Sequence, residues 1–487
     1  MRRLSLVGLA LLIVLPGTAS GERAPEGNPL TVSHIERLPA AEGWPADGDE
    51  VVWRAWIENW TSEDREIAFR FLLDDREIAR GTGIVPASDA AFFDLRSAWS
   101  FERKRLTFKL LPRGVQPRSP QTLTVLTDAL AAGFYVEESV EQYFRLAQPL
   151  LGQGSSSFAE WAQRQIDRLN QLFAEAVYPE TPDGVLDRVR LDKIIRVEDG
   201  ALPLDGGPRS AAADRPDGRE RRFDLQRGFP AEVIRSQYQN PMPGSPFDID
   251  GALLHELGHA RDLIDVYGYN VYHGVRGSRV DVREGDKLVA GSPFLPGKPA
   301  EHGDETGLLL FRSPEKGLMH YEYGFLDRYS AIALNRIAGE RARFGGYNGS
   351  PSIGFFLDDL PERNILILRD SAGQPLAGAT LTVYQDRGDP TSLYGKLFDN
   401  EPDLVRTADA AGRVDVGRNP FRSDGPIRFA KGEFRGVALL RVEHEERVGY
   451  TFLEARRFHL AYWRGQVDEA VHAVDFDRLI AVDPSED

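Results

Sequence analysis

The sequence predicts a multidomain protein in which a central α/β (α+β) domain lies between two β-sandwich domains. Three features of the chain predict this order. Short strands with turn signals run from residue 30 to about 113, strands and amphipathic helices mix between about 117 and 349, and strands return after Ile365. A chain of 487 residues is also too long for one ordinary domain, which favours about three.

Residues 1–21 have the layout of a secretory signal peptide. Arg2 and Arg3 form a basic start, Leu4–Leu15 an apolar core, and Ala19–Gly21 a cleavage region of small residues. The apolar core is too short to span a bilayer comfortably, and no other stretch is long and apolar enough to do so. The sequence therefore predicts an exported protein whose mature chain has no transmembrane segment.

Composition excludes several classes of function. The formal net charge of −16 argues against a nucleic-acid partner, because phosphate binding needs a basic surface. The absence of cysteine excludes disulfides, thiolate zinc sites and cysteine nucleophiles. A large exported protein without disulfides favours a bacterial periplasm or exterior.

The N-terminal domain is predicted over residues 22–115 as an immunoglobulin-like β-sandwich. The stretch "VVWRAWIENW" alternates Trp53, Trp56 and Trp60 with polar residues, which indicates strands whose tryptophans pack in a core. Asp74 and Asp75 follow as a predicted turn. Strands at this spacing are typical of a sandwich.

The central domain is predicted over residues 116–349. It opens with "LTVLTDAL", read as a strand leading toward a helix, and continues with "VEESVEQYFRLAQPLL" and "SSFAEWAQRQIDRLNQLFAEAVY", whose apolar residues recur at helical spacing. Ser155–Ser157 is the predicted N-cap region of the second helix. "LDKIIRVED" predicts a further strand.

The stretch "HELGHARDLID" within this domain has the pattern of a metal site. On a helix, His255 and His259 lie about 40° apart around the axis, so both can ligate one ion, whereas Glu256 projects about 100° away and can hold a water. Asp265 lies past the expected helix end and can close a three-ligand site that leaves one position for water. Asp262 remains an alternative third ligand.

This pattern, together with "MHY" downstream, resembles the metzincin zinc peptidases with an astacin-like or serralysin-like Met-turn. The resemblance implies a zincin-type catalytic domain that binds Zn²⁺, with Met319 beneath the metal and Tyr321 reaching the site. Tyr323 is expected to face elsewhere. Two positions depart from the common pattern: the third ligand is usually histidine, and Asp262 stands where glycine is usual.

Two other functions remain open at this point. A gluzincin-type peptidase would need a glutamate third ligand, for which Glu284, Glu301 and Glu305 are available in segments that read as loops. A non-enzymatic binding protein would use a closed, structural four-ligand metal site. His273 and His302 are possible extra ligands. There is no Gly-x-Ser-x-Gly motif and no dinucleotide fingerprint.

The C-terminal domain is predicted over residues 350–487 as a second β-sandwich. Gly373-x-Pro375, Gly378-Ala379, the strand Thr380–Tyr384 and the turn Asp409–Gly412 resemble the carboxypeptidase-regulatory-like, or prealbumin-like, modules of secreted bacterial proteins. The resemblance implies an accessory role without catalytic residues. Together, these features predict an exported zinc endopeptidase that acts on a protein or peptide, with glycan or surface-protein contacts through the flanking sandwiches.

Overall fold

A computed structural model describes most of the chain. The described residues are 30–38, 45–112, 122–144, 157–202, 223–239, 249–275, 277–300, 307–320, 322–339, 354–389, 395–429 and 434–481. The predicted signal peptide lies outside them. Within these ranges the protein is mostly β, with several separate sheets and a minority of helices. None of the helices in the described ranges has the length and apolar character needed to cross a bilayer.

The N-terminal region folds into two antiparallel sheets around a core of their own. The strands are β1 (Leu30–Leu38), β2 (Glu50–Asn59), β3 (Arg65–Leu73), β4 (Arg76–Val85), β5 (Ala90–Ala98), β6 (Arg105–Pro112) and β7 (Thr122–Leu126). The sheet orders are β1-β2-β5 and β4-β3-β6-β7. Trp53 and Phe71 belong to the core between them. Asp74 and Asp75 have φ of 49° and 67°, so the predicted turn is confirmed. Both residues adopt the left-handed backbone conformation that is typical of a two-residue hairpin turn.

The strand predicted at "LTVLTDAL" is divided into two by a turn. Thr122–Leu126 pairs with β6 in the N-terminal sheet, beyond the predicted boundary at residue 115. The Ala129 amide donates to the Leu126 carbonyl (3.2 Å), and a new strand begins at Leu130. Only this second strand leads toward a helix, because the turn breaks the extended run that the sequence pattern suggests.

A parallel three-stranded sheet forms part of the central region of the chain. The elements are β8 (Leu130–Glu137), α1 (Phe158–Glu175), β9 (Val189–Val197), β10 (Leu225–Phe229), α2 (Ala231–Gln239) and α3 (Gly251–Ala260). The sheet order is β10-β8-β9, parallel throughout. Helix α1 confirms the predicted helix, and its N-cap Ser157 lies in the predicted region. Residues 140–144 of the other predicted helix are also helical.

Short elements follow α3. They are a 3₁₀ turn (Val266–Tyr269), β11 (Val271–His273), β12 (Arg279–Val280), β13 (Arg283–Glu284), β14 (Lys287–Leu288), β15 (Lys298–Pro299), β16 (Leu308–Phe311), a second 3₁₀ turn (Leu318–His320) and α4 (Arg328–Arg336). Strands β11, β16 and β15 form a small antiparallel sheet. This segment connects the helix that carries the histidines to the turn that contains Met319.

The C-terminal region has a three-stranded and a five-stranded sheet. Its elements are β17 (Arg363–Asp370), β18 (Thr380–Gln385), β19 (Leu397–Phe398), β20 (Leu404–Thr407), β21 (Arg413–Gly417), β22 (Val437–His444), β23 (Arg447–Glu454), α5 (Arg456–Trp463), β24 (Glu469–Phe476) and β25 (Ile480–Ala481). The orders are β21-β17-β24 and β20-β18-β22-β23-β25. The predicted strand Thr380–Tyr384 is part of β18, and the Asp409 carboxylate accepts the amides of Ala411 and Arg413 at 2.8 Å in the predicted turn.

The central and C-terminal regions share one hydrophobic core, whereas the N-terminal sheets have a separate one. Strand β12 of the central region pairs with β19 of the C-terminal region. Arg441 donates two hydrogen bonds of 2.7 Å to Glu284 across the same boundary. The C-terminal region is therefore packed directly against the segment that follows α3.

Candidate metal centre

Helix α3 places the two predicted histidines on one side. Its N-cap is Asp250, whose carboxylate accepts the Leu253 amide at 3.0 Å, and whose own amide donates to Gln165 of α1 at 2.8 Å. Capping of this kind satisfies amides that have no partner within the helix. The rings of His255 and His259 lie 4.7 Å apart, as the spacing of four residues predicts.

The helix ends in a turn that sends the chain back toward these rings. Asp262 has a φ of 66°, the left-handed conformation in which helices commonly stop. The Leu263 amide donates to the Gly258 carbonyl (3.1 Å) and the Asp262 amide to the His259 carbonyl (2.9 Å), which is a Schellman motif. Aspartate tolerates a positive φ better than most residues, so the departure from glycine at 262 does not prevent the reversal.

After this reversal, Asp265 joins the two histidines. Its Oδ1 lies 2.9 Å from His255 Nε2 and 3.2 Å from His259 Nε2. Within the described residues these three form the group that could hold a metal ion, with ligand atoms all within 4.8 Å of one another. Asp262 is not a member of this group.

The other nitrogen of each imidazole is engaged by a backbone carbonyl. His255 Nδ1 donates to the Leu318 carbonyl (2.9 Å) and His259 Nδ1 to the Leu263 carbonyl (2.7 Å). A proton on Nδ1 leaves a lone pair on Nε2, which is how proteins orient histidine for metal binding. Leu318 belongs to the second 3₁₀ turn, so this turn fixes the orientation of the first histidine.

A positive charge, either a metal ion or a proton on an imidazole, would stabilise the arrangement of these three atoms. Two Nε2 lone pairs and a carboxylate oxygen that face one another repel unless a positive charge lies among them. Burial alone would lower the pKa of His259, but attraction to Asp265 and a hydrogen bond that the imidazole donates to its carboxylate raise the pKa to about 8. Burial opposes ionisation of Asp265, but His259 and His255 hold the pKa of its carboxyl well below the usual range.

Zinc fits this set of donors. Two ligand atoms bound to zinc at about 2.0–2.1 Å in a tetrahedral arrangement lie roughly 3.3 Å apart, close to the 2.9 and 3.2 Å between Asp265 Oδ1 and the two Nε2 atoms. Two imidazoles and one carboxylate are donors that zinc prefers. All three side chains are buried, so the ion would be largely enclosed by protein.

Met319 packs directly against the helix that bears the histidines. It is fully buried in the second 3₁₀ turn, and a Cβ at Gly258 would lie only 2.7 Å from its Sδ. The missing side chain at Gly258 therefore allows the sulfur to approach the helix backbone directly before His259. Met319 and the residue before His259 are thus in direct contact.

Glu256 lies beside a buried arginine that the sequence analysis did not single out. Arg227 of β10 is 1% exposed, and its Nη1 lies 3.9 Å from Glu256 Oε2. The Glu256 side chain is 16% exposed, while its Oε2 atom is buried. The only signal for Arg227 in the sequence is a charged residue within "LQRGF", a run that forms a fully buried strand.

Two other tyrosines lie near His255, while Tyr321 falls outside the described residues. The ring of Tyr267 stacks on that of His255 at 6.3 Å. Tyr323 lies edge-on to His255 at 6.5 Å and against the first turn of α3, where a Cβ on Gly251 would meet its ring. The expectation that Tyr323 faces elsewhere is wrong, because the absence of a side chain at Gly251 lets the ring approach the helix.

The other candidate ligands have different surroundings. Glu284 accepts hydrogen bonds from Arg441 and, at 2.6 Å, from Tyr450 of the C-terminal region. His273 Nδ1 accepts the Val280 amide at 3.1 Å. Glu301, Glu305 and His302 lie outside the described residues.

No protein-family model matches the sequence, and no curated protein matches it. Solved structures with some similarity include a cycloisomaltooligosaccharide glucanotransferase of Paenibacillus sp. (13% identity over 24% of this chain and 18% of that one, TM-score 0.16). A GH2 β-galacturonidase of Eisenbergiella tayi has 12% identity over 30% of this chain and 28% of that one, with a TM-score of 0.16.

A β-glucuronidase of Bacteroides uniformis has 9% identity over 92% of this chain and 62% of that one, with a TM-score of 0.19. This chain therefore spans less than two thirds of each of these three enzymes. Similarity at such low TM-scores does not amount to a shared fold and carries no argument about activity. The chemistry has to be inferred from the residues of the site.

Proposed function

We propose that the protein is an exported zinc-dependent endopeptidase with a zincin-type central domain. The observation that carries this proposal is the convergence of His255 Nε2, His259 Nε2 and Asp265 Oδ1 on one point. The signal-like N-terminus supports export. Within the described residues the group has three ligands, and a site with three protein ligands leaves a position open, which is typical of catalytic rather than structural zinc sites.

Zinc, when bound, supplies Lewis-acid chemistry that makes water acidic near neutral pH and polarises a carbonyl group. Glu256 is the proposed general base: its carboxylate takes a proton from the water that attacks the scissile carbonyl carbon. The same carboxyl group then delivers the proton to the nitrogen of the leaving amine. The ion pair with Arg227 favours a fixed carboxylate position, which efficient proton transfer requires.

Metal content and peptide cleavage test this proposal together. Protein purified without chelators is expected to contain zinc and to cleave members of a proteome-derived peptide library, and a chelator is expected to abolish the cleavage. Protein without zinc or any other transition metal would contradict the metal site. Zinc-loaded protein that cleaves no peptide in the library would favour the non-enzymatic alternative.

Tyr321 is proposed to stabilise the negative charge that develops on the carbonyl oxygen. Its spacing from Met319 supports this role, since a phenol aimed at the transition state assists turnover more than substrate binding. Tyr321→Phe is expected to lower kcat on the order of 10²–10³-fold, with unchanged zinc content and thermal unfolding. Steady-state kinetics and metal analysis measure these effects.

Tyr323→Phe is the matched control, because Tyr323 lies two residues away and its ring is already near His255. Tyr323→Phe keeps the ring that packs against α3 and removes only the hydroxyl, and this variant is expected to keep its kcat. A large loss in Tyr323→Phe with none in Tyr321→Phe would transfer the role to Tyr323.

A further inference from the structure

A buried lysine of the C-terminal region reaches the turn that follows Asp265. Lys396 is 1% exposed, and its Nζ donates to the Gly268 carbonyl at 2.7 Å. Burial lowers the pKa of Lys396, and attraction to the buried Asp386 carboxylate counteracts this. Burying an ammonium group is costly unless it gains specific partners, so this contact is a defined feature of the interface.

The same turn is also packed from the C-terminal side by an aromatic ring. A Cβ at Gly268 would lie 3.0 Å from the ring of Phe434, so the residue has to be small. Phe434 contacts the ring of Tyr269 at 5.0 Å, and Lys396 Nζ lies 5.2 Å from the centre of the Phe434 ring. Lys396 and Phe434 thus contact consecutive residues of one 3₁₀ turn.

This turn begins at the third candidate ligand. Asp265 is its N-cap, and the Gly268 amide donates to the Asp265 carbonyl at 2.9 Å. The backbone of Gly268 is therefore hydrogen-bonded through its amide to Asp265 and through its carbonyl to Lys396. A shift of this turn would move the Asp265 carboxylate relative to the two imidazoles, which are held separately by the Leu318 and Leu263 carbonyls.

We propose that the C-terminal β-sandwich is a structural part of the metal centre and that Lys396 is a positioning residue for Asp265. This inference rests on the proposed function only in requiring that the site binds metal. It gives the C-terminal region a specific role that an accessory module would not have. The pairing of β12 with β19 holds the two regions together. Lys396 links the C-terminal region to the turn that begins at Asp265.

Titration of the metal-stripped full-length protein with Co²⁺, followed by visible absorption, tests the proposal. Lys396→Met is expected to raise the Kd for Co²⁺ by on the order of 10–100-fold, the range seen when residues that orient ligands are changed. The ligand-field spectrum is also expected to change, because the Asp265 carboxylate is no longer held at a fixed distance from the two imidazoles.

Two variants separate positioning from general destabilisation. Lys396→Met combined with Asp386→Asn removes the carboxylate charge left by the single change, and the amide oxygen can still accept the Gly388 and Leu397 amides that Asp386 accepts. We expect the double variant to regain thermal stability without regaining Co²⁺ affinity. Arg441→Met removes another cation at the same boundary, bonded to Glu284 rather than to the turn, and is expected to leave the Kd unchanged.

The possible outcomes are distinguishable. Wild-type protein that binds no Co²⁺ or Zn²⁺ would overturn both this inference and the proposed function. If the wild-type protein binds Co²⁺ and Lys396→Met binds it with the same Kd, only the positioning role would be overturned. Recovery of the wild-type Kd in the double variant would have the same consequence. If Arg441→Met lost as much Co²⁺ affinity as Lys396→Met, the effect would belong to the interface as a whole, and the specific role of Lys396 would be overturned.

Discussion

Replacing Glu256 with glutamine is expected to remove hydrolysis while leaving the fold and zinc content intact. The amide keeps the size of the side chain but cannot accept the proton from water. General-base catalysis contributes about 10²–10⁴-fold to turnover, so the loss should be at least of this order. The rate of cleavage of a substrate peptide, measured with zinc analysis of the same sample, checks this prediction.

His259→Ala is the comparison for Glu256→Gln, because it removes a candidate ligand from the same helix. It should lose activity together with the metal, whereas Glu256→Gln should lose activity alone. Arg227 lies 3.9 Å from Glu256, and the glutamine variant would leave its charge without this carboxylate, so thermal unfolding has to be measured in parallel. Full peptidase activity in a folded, zinc-loaded Glu256→Gln variant would exclude Glu256 as the base.

Removing the carboxylate of Asp265 is expected to weaken metal binding more than any change to a residue that only orients a ligand. Changing such an orienting residue typically lowers metal affinity by about 10–100-fold. The loss of zinc affinity in Asp265→Ala should exceed this range. The two imidazoles remain, but two ligands do not make a catalytic zinc site. Competition with a chelator of known zinc affinity measures the change.

Asp262 provides the matched control, since it is the alternative ligand and lies in the turn before Asp265. Asp262→Gly keeps the left-handed conformation at φ 66° without strain, so zinc affinity should be retained. Asp262→Ala should lower thermal stability, because alanine is unfavourable at positive φ. The reverse order, with Asp262→Gly losing zinc and Asp265→Ala retaining it, would make Asp262 the ligand.

Local rules predicted several parts of the molecule well. The histidine pair lies on one side of α3 because its spacing matches the helical repeat, and the helix ends before Asp262, where the chain adopts a positive φ. Helix α1 follows its apolar spacing, and the Asp74–Asp75 turn follows turn chemistry. Each of these depends on residues within a few positions of one another, which is the range over which sequence patterns are informative.

Other parts of the site depend on contacts between distant segments. Arg227 reaches Glu256, the Leu318 carbonyl orients His255, and Lys396 holds the Gly268 carbonyl. No periodicity relates such residues, since their proximity arises from how sheets and turns pack. The same holds for Tyr323, whose approach to α3 is possible because Gly251 lacks a side chain.

The sequence by itself therefore determined the candidate ligands His255 and His259, a third ligand at either Asp265 or Asp262, the helix that carries the histidines, and the β-rich regions on either side. The tertiary structure decided which carboxylate reaches the imidazoles, which carbonyls orient them and how closely the C-terminal region is joined to the site. The physical reason is that ligand identity and helix geometry are local properties. The positions of a metal centre's supporting groups are set by burial and hydrogen bonding across the fold.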